Sequence, residues 1–461
     1  MKTMVLEEAA AACGGELVAA DEDKNRIVTG GVVDSRLVAN GNLFFAIPGE
    51  RVDGHRFVNQ TLENGAAAAV VEHDIEDCIG PVIKVGNTQK ALMDIAAFYR
   101  DGFDIPVIGI TGSVGKTSTK EMIATVLGRK YNVLKTEGNF NNEIGMPLTL
   151  FKVRPEHEAA VVEMGINHFG EMERMASAAR PDMFVITNIG DCHLEFLGDR
   201  DGVLAAKTEG LKFMPNGAPL ILNGDDEQLQ KLSGRAGLKV LYYSLERTDA
   251  AAYATDIVSN GPAGSDFTLH LGDESVNVRV PVPGRHMVAN ALAAALVGQE
   301  LGMDINMIKF GIESVETISG RSHFIKAGGV TIIDDCYNAN PASMKASLEV
   351  LSQCPGRRIA VLGDMGELGV NERQLHYEVG EYIAGLGLDA VFMSGELAEE
   401  ISKGAGDNGL DDLYYIKEKE TMSDILCHYV KPGDTVLVKA SHFMQFDSLI
   451  RDLKNFLQQG Q

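Results

Sequence analysis

The stretch VIGITGSVGKTSTKEM carries a short apolar run, 107–110, straight into a glycine-rich turn, after which Lys116 and Thr117 open a helical pattern. A strand-turn-helix junction of this kind presents consecutive backbone N–H groups at a helix N-terminus, where they can wrap a phosphate chain. Thr111, Gly112, Ser113, Val114, Gly115, Lys116, Thr117 and Ser118 are therefore expected to bind the phosphates of a nucleotide, with Lys116 neutralising the outer phosphates and the Thr117 hydroxyl ligating magnesium. Ile110 occupies the first glycine position of the strict G-x-x-x-x-G-K-[ST] pattern, so the loop is a variant of it.

A nucleotide loop serves switches, motors and ligases alike. Glu163, in AAVVEMGINHFGEM, closes a predicted strand, and His193, in MFVITNIGDCHLEFLG, follows the next one. In a parallel sheet both positions face the crevice beyond the strand ends, beside the phosphate loop. A carboxylate and an imidazole there could hold a second divalent cation. Taken singly, each is equally an ordinary hydrogen-bonded residue at a strand end; the functional reading rests on their convergence.

The elements that must place these residues alternate. PVIGIT, KTSTKEMIATVLGRK, AAVVEMG, GEMERMASAAR, MFVITNIG and DGVLAAKTEGLKFM followed by APLILN switch between strand and helix patterns. That alternation predicts a mainly parallel sheet covered on both faces. Residues 251–283 break the rhythm with alternating strands before the helical HMVANALAAALVGQELG, and a second alternating series begins near residue 322. The latter predicts a smaller Rossmann-like unit, although it lacks the G-x-G-x-x-G of a dinucleotide site. The first 85 residues read as a small mixed unit, and QKALMDIAAFYRDGF (89–103) as a linking helix. The expected fold class is α/β in three domains: 1–85, 86–313 and 314–461.

Length agrees with several domains, since 461 residues exceed what one ordinary core holds. The net charge of −24 argues against binding nucleic acid or an anionic membrane broadly, so any phosphate site must be local. The N-terminus lacks the basic start and apolar run of a secretory signal, and no stretch of about 18 apolar residues occurs, so a cytoplasmic location without stable membrane insertion is expected. Six scattered cysteines without a C-x-x-C pair suggest neither zinc nor a disulfide framework. A monomer is expected.

Beyond these local readings, TGSVGKT resembles the phosphate loop of the Mur ligase superfamily, commonly T-G-[ST]-x-G-K-[ST]. DSRLVANGNLFFAIPGERVDGHRF, TEGNFNNEIGMPLTL, IDDCYNANPASM and VLGDMGELG extend the resemblance almost end to end. They look like the branch that joins D-alanyl-D-alanine to UDP-N-acetylmuramoyl-tripeptide. The resemblance implies an N-terminal domain binding the UDP-sugar, a central ATPase domain and a C-terminal domain that closes over the nucleotide. The activity it implies is amide-bond formation through an acyl phosphate, with ATP and Mg2+ as cofactors.

The resemblance also implies roles residue by residue. Lys207, in LAAKTEGL, falls where the superfamily carries a carbamylated lysine, whose anionic oxygens would join Glu163 and His193 around magnesium. His286 and Asn290, one helical turn apart, match positions approaching adenine. Arg321 resembles the arginine that reaches the terminal phosphate on closure, and Asp335 the residue holding the ribose. Ser35, Arg36, Asp53, Gly54 and His55 correspond to the UDP-sugar surface; Asn139 and Asn142 are expected to line the cleft, with Tyr337 and Asn338 near the nucleotide or dipeptide. One departure stands near the C-terminus: VLVKASHFMQFDSLI keeps Lys439 and Ser441 but places His442-Phe443 where the resemblance suggests Ser-Arg-Gly.

Three alternatives remain at this stage. A sibling ligase adding one amino acid, or a folylpolyglutamate synthetase, is opposed by DDCYNANP and VLGDMGELG, and a non-catalytic nucleotide-binding paralogue by the intact Lys116, Thr117, Glu163, Lys207 and Arg321. A GTPase switch lacks an N-K-x-D stretch for reading guanine.

Overall fold

Strands that are buried on both faces must be apolar throughout, and the runs flagged above behave that way. Val107–Thr111, Ala159–Glu163 and Met183–Ile186 are buried at every position in the computed structural model, which describes residues 4–49 and 52–459. Glu50 and Arg51, within the N-terminal motif, lie outside the described residues.

The central sheet has nine strands. Its order across the sheet is Glu274–Val280, Ser265–Leu271, Ala252–Ser259, Lys239–Ser244, Pro219–Asn223, Met183–Ile186, Val107–Thr111, Ala159–Glu163 and Val133–Lys135. Pairing is parallel from Ala252–Ser259 to Val133–Lys135, and the two strands of 265–280 form the antiparallel edge that the broken rhythm of 251–283 foreshadows. Ile110 pairs with Glu163 and Thr111 with Ile186, so three adjacent strands end together on one rim. That rim is where a doubly wound sheet places its ligand.

Two smaller sheets flank this one. The first has five strands, of which Glu16–Val18 alone runs antiparallel, on the edge. The third has six, ordered His323–Ala327, Val330–Asp334, Thr435–Lys439, Arg358–Gly363, Ala390–Ser394 and Leu413–Tyr415, with the first pair antiparallel. The linking helix runs Thr88–Arg100. It begins where Asn87 caps Lys90 N–H at 2.7 Å, and it stops ahead of the turn at Gly102, three residues short of the pattern read from the sequence.

Apolar packing divides the chain unevenly. Leu43, Phe45 and Val70 of the first sheet share one continuous core with Met172, Phe184 and Leu220 beneath the central sheet. The third sheet instead has two clusters of its own, one on each face, around Leu362 and Val361. A unit holding its own core can move as a body against the rest, which matters because the cleft lies between it and the central sheet.

Candidate active site

Three neighbouring strand ends build one wall of the cleft. Thr111 Oγ1 donates to Met164 O at 2.8 Å, tying the root of the phosphate loop to the end of the next strand. Gly112 has φ +149° and a Cβ there would lie 1.9 Å from Thr187 Oγ1, while Gly115 is left-handed at φ +83°; only glycine meets both demands without strain. The loop leans on the segment after Met183–Ile186. Asn188 Oδ1 accepts from Val114 N–H at 2.9 Å and its Nδ2 donates to Val114 O at 3.0 Å. Lys116 Nζ turns back to donate to Gly112 O at 2.8 Å. Burial lowers its pKa, with Cys192 and Glu163 opposing that shift and Arg321 adding to it.

Glu163 is only 1% exposed. Its Oε1 accepts from Thr117 Oγ1 at 3.1 Å and from Asn141 Nδ2 at 2.7 Å, but Oε2 is buried without a hydrogen bond and faces Lys120 Nζ at 3.8 Å. Lys207 is fully buried and its Nζ also lacks a hydrogen-bond partner. Burial lowers its pKa to about 8, Cys192 opposing the shift and Lys116 adding to it. Native interiors rarely leave such atoms unsatisfied, and a deprotonatable amine together with a carboxylate oxygen that accepts no hydrogen bond is a donor set that a carbamate and a divalent cation would complete. His193 sits at φ +52° with Nδ1 2.5 Å from Glu367 Oε2, a bond that holds the Glu367 carboxyl below the usual range.

The opposite wall comes from the third sheet. The Arg321 guanidinium lies 4.2 Å over the Tyr337 ring. Asp335 pairs with Lys439 at 2.6 Å and also accepts from Ser322 N–H at 3.0 Å and from Ser347 Oγ. Between the walls, Arg285–Glu300 presents His286, whose pKa burial lowers, and Asn290, whose Oδ1 accepts from Thr119 Oγ1 at 2.9 Å. The cleft, open to solvent, has a volume of about 880 Å³.

Most of the residues singled out by sequence meet in this cleft. Ser113 to Ser118 line it, whereas Thr111 and Gly112, at the root of the loop, do not; Glu163, His193, His286, Asn290, Arg321, Asp335, Tyr337, Asn338 and Asn142 line it too. Lys207 is not part of the lining and lies near Lys116 and Cys192. Asn139 is the correction: it is exposed and outside the lining, and Asn141 takes its place against Glu163. The three asparagines of GNFNNE carry no spacing signal that selects between them. Glu367, Asn188 and the buried Lys120 were also not distinguished by sequence, because each acquires its role only from a distant segment.

Ser35 and Arg36 lie on one short turn of the first unit and Asp53, Gly54 and His55 on another, all outside the cleft lining. Arg36 has an 85% exposed side chain and forks onto Asp34 at 2.6 Å. Asp53, His55 and His73 form the only group of three His, Cys, Asp or Glu donors within 4.8 Å among the described residues. Both His55 ring nitrogens are already engaged, Nδ1 with Asp53 at 2.6 Å and Nε2 accepting from Glu72 N–H at 2.9 Å, so that trio is a structural clasp. At the C-terminal departure, His442 lies 6.0 Å from the Tyr337 ring and Phe443 is exposed.

Asn290 offers a test of how the phosphate-loop helix is held. Asn290→Leu leaves the buried Thr119 hydroxyl unpaired, which costs about 1–3 kcal/mol; urea unfolding should show that loss together with weaker ADP binding by calorimetry.

Comparison with known proteins adds the following. The Mur ligase family catalytic domain matches residues 28–100, the Mur ligase middle domain residues 110–298, and the Mur ligase glutamate ligase domain residues 320–442. The chain is 35% identical over 458 residues to the UDP-N-acetylmuramoyl-tripeptide–D-alanyl-D-alanine ligase of Escherichia coli, covering 98% of this chain and 99% of that one. A crystal structure of MurF from Acinetobacter baumannii superposes with a TM-score of 0.91 at 33% identity, covering 99% of both chains. MurF ligase from Thermotoga maritima, solved in complex with ADP, gives 0.84 at 30% identity over 94% of this chain and 98% of that one.

Proposed function

The chain belongs to the Mur ligase family, and from that premise we propose how its cleft works. It is an ATP-dependent peptide ligase that joins D-alanyl-D-alanine to UDP-N-acetylmuramoyl-tripeptide, the step that completes the pentapeptide precursor of peptidoglycan. The observation that carries the mechanism is the meeting of the phosphate loop and Glu163 with Arg321, from a separately cored unit, across one cleft.

ATP enters with its triphosphate on the amides of 112–116 and its base toward His286 and Asn290, while Asp335, braced by Lys439, faces the ribose. The tripeptide carboxylate attacks the terminal phosphorus in line, ADP leaves, and an acyl phosphate forms. Lys116 and the loop amides spread the charge from one side, and Arg321 supplies a guanidinium from the other. The free amine of D-alanyl-D-alanine then adds to the acyl carbon. The tetrahedral intermediate loses a proton from nitrogen and expels phosphate, which carries away one former carboxylate oxygen. No protein nucleophile is needed, and closure of the C-terminal unit keeps water from the acyl phosphate.

Thr117, Glu163, His193 and Lys207 carrying a carbamate would hold magnesium, which would supply charge neutralisation between the phosphates and the carboxylate. The fit rests on Glu163 Oε2 and Lys207 Nζ, both buried without a hydrogen-bond partner. Lys207 takes up CO2 as its neutral amine, losing one proton, and a pKa lowered to about 8 makes that form accessible. The surface of Ser35, Arg36, Asp53, Gly54 and His55 receives the UDP-sugar. We assign the domains to 1–85, 86–313 and 314–461. The reaction takes place in the cytoplasm, and one chain contains every group it requires, so a monomer suffices; no helix among the described residues is long and apolar enough to cross a membrane.

Phosphate release from ATP should require UDP-N-acetylmuramoyl-tripeptide and D-alanyl-D-alanine together. Release dependent on one amino acid in place of the dipeptide would move the chain to a sibling reaction, and ligand binding without release would make it a non-catalytic paralogue.

A further inference from the structure

We propose that Glu367 is a positioning residue that the C-terminal unit brings to His193 as it docks, fixing the imidazole tautomer in the phosphate site. The inference rests on the ligase reading of the same cleft and adds to it a group from a distant part of the chain.

Glu367 Oε2 lies 2.5 Å from His193 Nδ1, across 174 residues of sequence and between two separately packed units. Because a carboxylate only accepts, the proton of a neutral imidazole held this way resides on Nδ1, and Nε2 keeps its lone pair. An imidazole oriented by a carboxylate on one nitrogen is the arrangement that prepares the other nitrogen as a ligand for a cation.

The arm carrying Glu367 is built to present it. Asp364 accepts N–H groups from Glu396, Leu397 and Ala398 at 3.0, 3.0 and 2.7 Å, Met365 N–H donates to the buried His376 Nε2 at 2.9 Å, and Gly366 N–H donates to Ser441 Oγ at 2.9 Å. Three consecutive residues are thus pinned to the C-terminal unit just before the glutamate. Glu367 itself adopts φ +61°, a conformation that a non-glycine residue keeps only when its surroundings impose it. Two residues on, Gly369 comes so close to the segment after His193 that a Cβ there would lie 3.2 Å from Glu195 N. Elsewhere Ser259 Oγ donates to Gln353 Oε1 at 2.5 Å, a second contact between the unit and the central sheet. The His193–Glu367 bond exists only when the unit is seated, and it therefore links seating to the state of the imidazole.

Ring-nitrogen NMR on protein labelled with 15N-histidine tests this without nucleotide or metal, His193 being assigned by its loss in His193→Gln. The expected result is a protonated Nδ1 and a bare Nε2 in the parent, a mixture of tautomers in Glu367→Ala, and the parental pattern in Glu367→Gln, whose amide oxygen still accepts. Alongside, Glu367→Ala should lower kcat by about 10–100-fold and raise the magnesium concentration for half-maximal rate, with KM for D-alanyl-D-alanine little changed, and Glu367→Gln should recover much of the loss. An unchanged His193 pattern in Glu367→Ala would overturn the proposal, whatever happens to the rate, as would a parental rate and magnesium dependence. If the alanine variant folds poorly, Glu367→Asp, which withdraws the carboxylate by one methylene, replaces it with the same expectations. Failure of the parent to use D-alanyl-D-alanine would count against the ligase reading alone, because the nitrogen comparison is made in its absence.

Discussion

Lys207→Ala is expected to reduce turnover by roughly 10²–10³-fold, with partial recovery on adding a short carboxylate such as acetate or propionate. A metal-linked charge is worth several kcal/mol in the transition state, and at about 1.4 kcal/mol per decade this gives the stated range. The location of Lys207 limits the structural loss to packing. Its Nζ is fully buried and makes no hydrogen bond, so the substitution removes no polar contact and costs the fold only the space of the buried stem. A thermal melt near that of the parent, together with rescue by carboxylate, would identify the missing group as an anion. Full turnover in Lys207→Ala would eliminate the carbamate. In CO2-depleted parent protein, recovery of activity at a fixed concentration of dissolved CO2 should quicken as pH rises through about 8, where the amine loses its proton.

A larger loss is expected from Gly112→Ala, a change of one methyl group. The added Cβ would lie 1.9 Å from Thr187 Oγ1 in a backbone at φ +149°. Thr187 cannot simply rotate away, because its hydroxyl donates to Val114 O at 2.6 Å inside the loop that must bend. Backbone strain and overpacking each cost about 1–3 kcal/mol, and the loop can shed them only by leaving the shape that faces phosphate. Calorimetry should find ADP binding lost, with urea unfolding shifted by no more than those two costs. Wild-type ADP affinity in this variant would show that the loop amides are not the phosphate cradle.

Much of the architecture was legible because parallel strands buried on both faces read as unbroken apolar runs, and helices between them keep their own period. The antiparallel edge at 265–280 was visible for the complementary reason, since Ser265–Leu271 alternates buried and half-buried positions along its length. Glu163 and His193 could be nominated from their places after strands, as strand ends converge in any doubly wound sheet. What sequence did not supply was partnership across the chain. Nothing local separates Asn141 from Asn139, which lies two residues away and faces solvent. Lys120 sits on the same helix as Lys116 yet is buried, donating to Thr136 O at 2.6 Å, because Thr136 reaches the helix from another strand end. Glu367 stood out only as part of VLGDMGELG until the fold brought it to His193.

The central claim is that ATP is cleaved by transfer of its phosphoryl group to the acceptor carboxylate within this cleft. Supplying UDP-N-acetylmuramoyl-tripeptide with both oxygens of its reacting carboxylate labelled with 18O, and weighing the released phosphate by mass spectrometry, tests it directly. An acyl phosphate requires every phosphate to leave with one labelled oxygen while the new amide keeps the other. Unlabelled phosphate formed alongside amide product would mean that ATP is hydrolysed apart from the bond-forming carboxylate, and the account given for this cleft would be wrong.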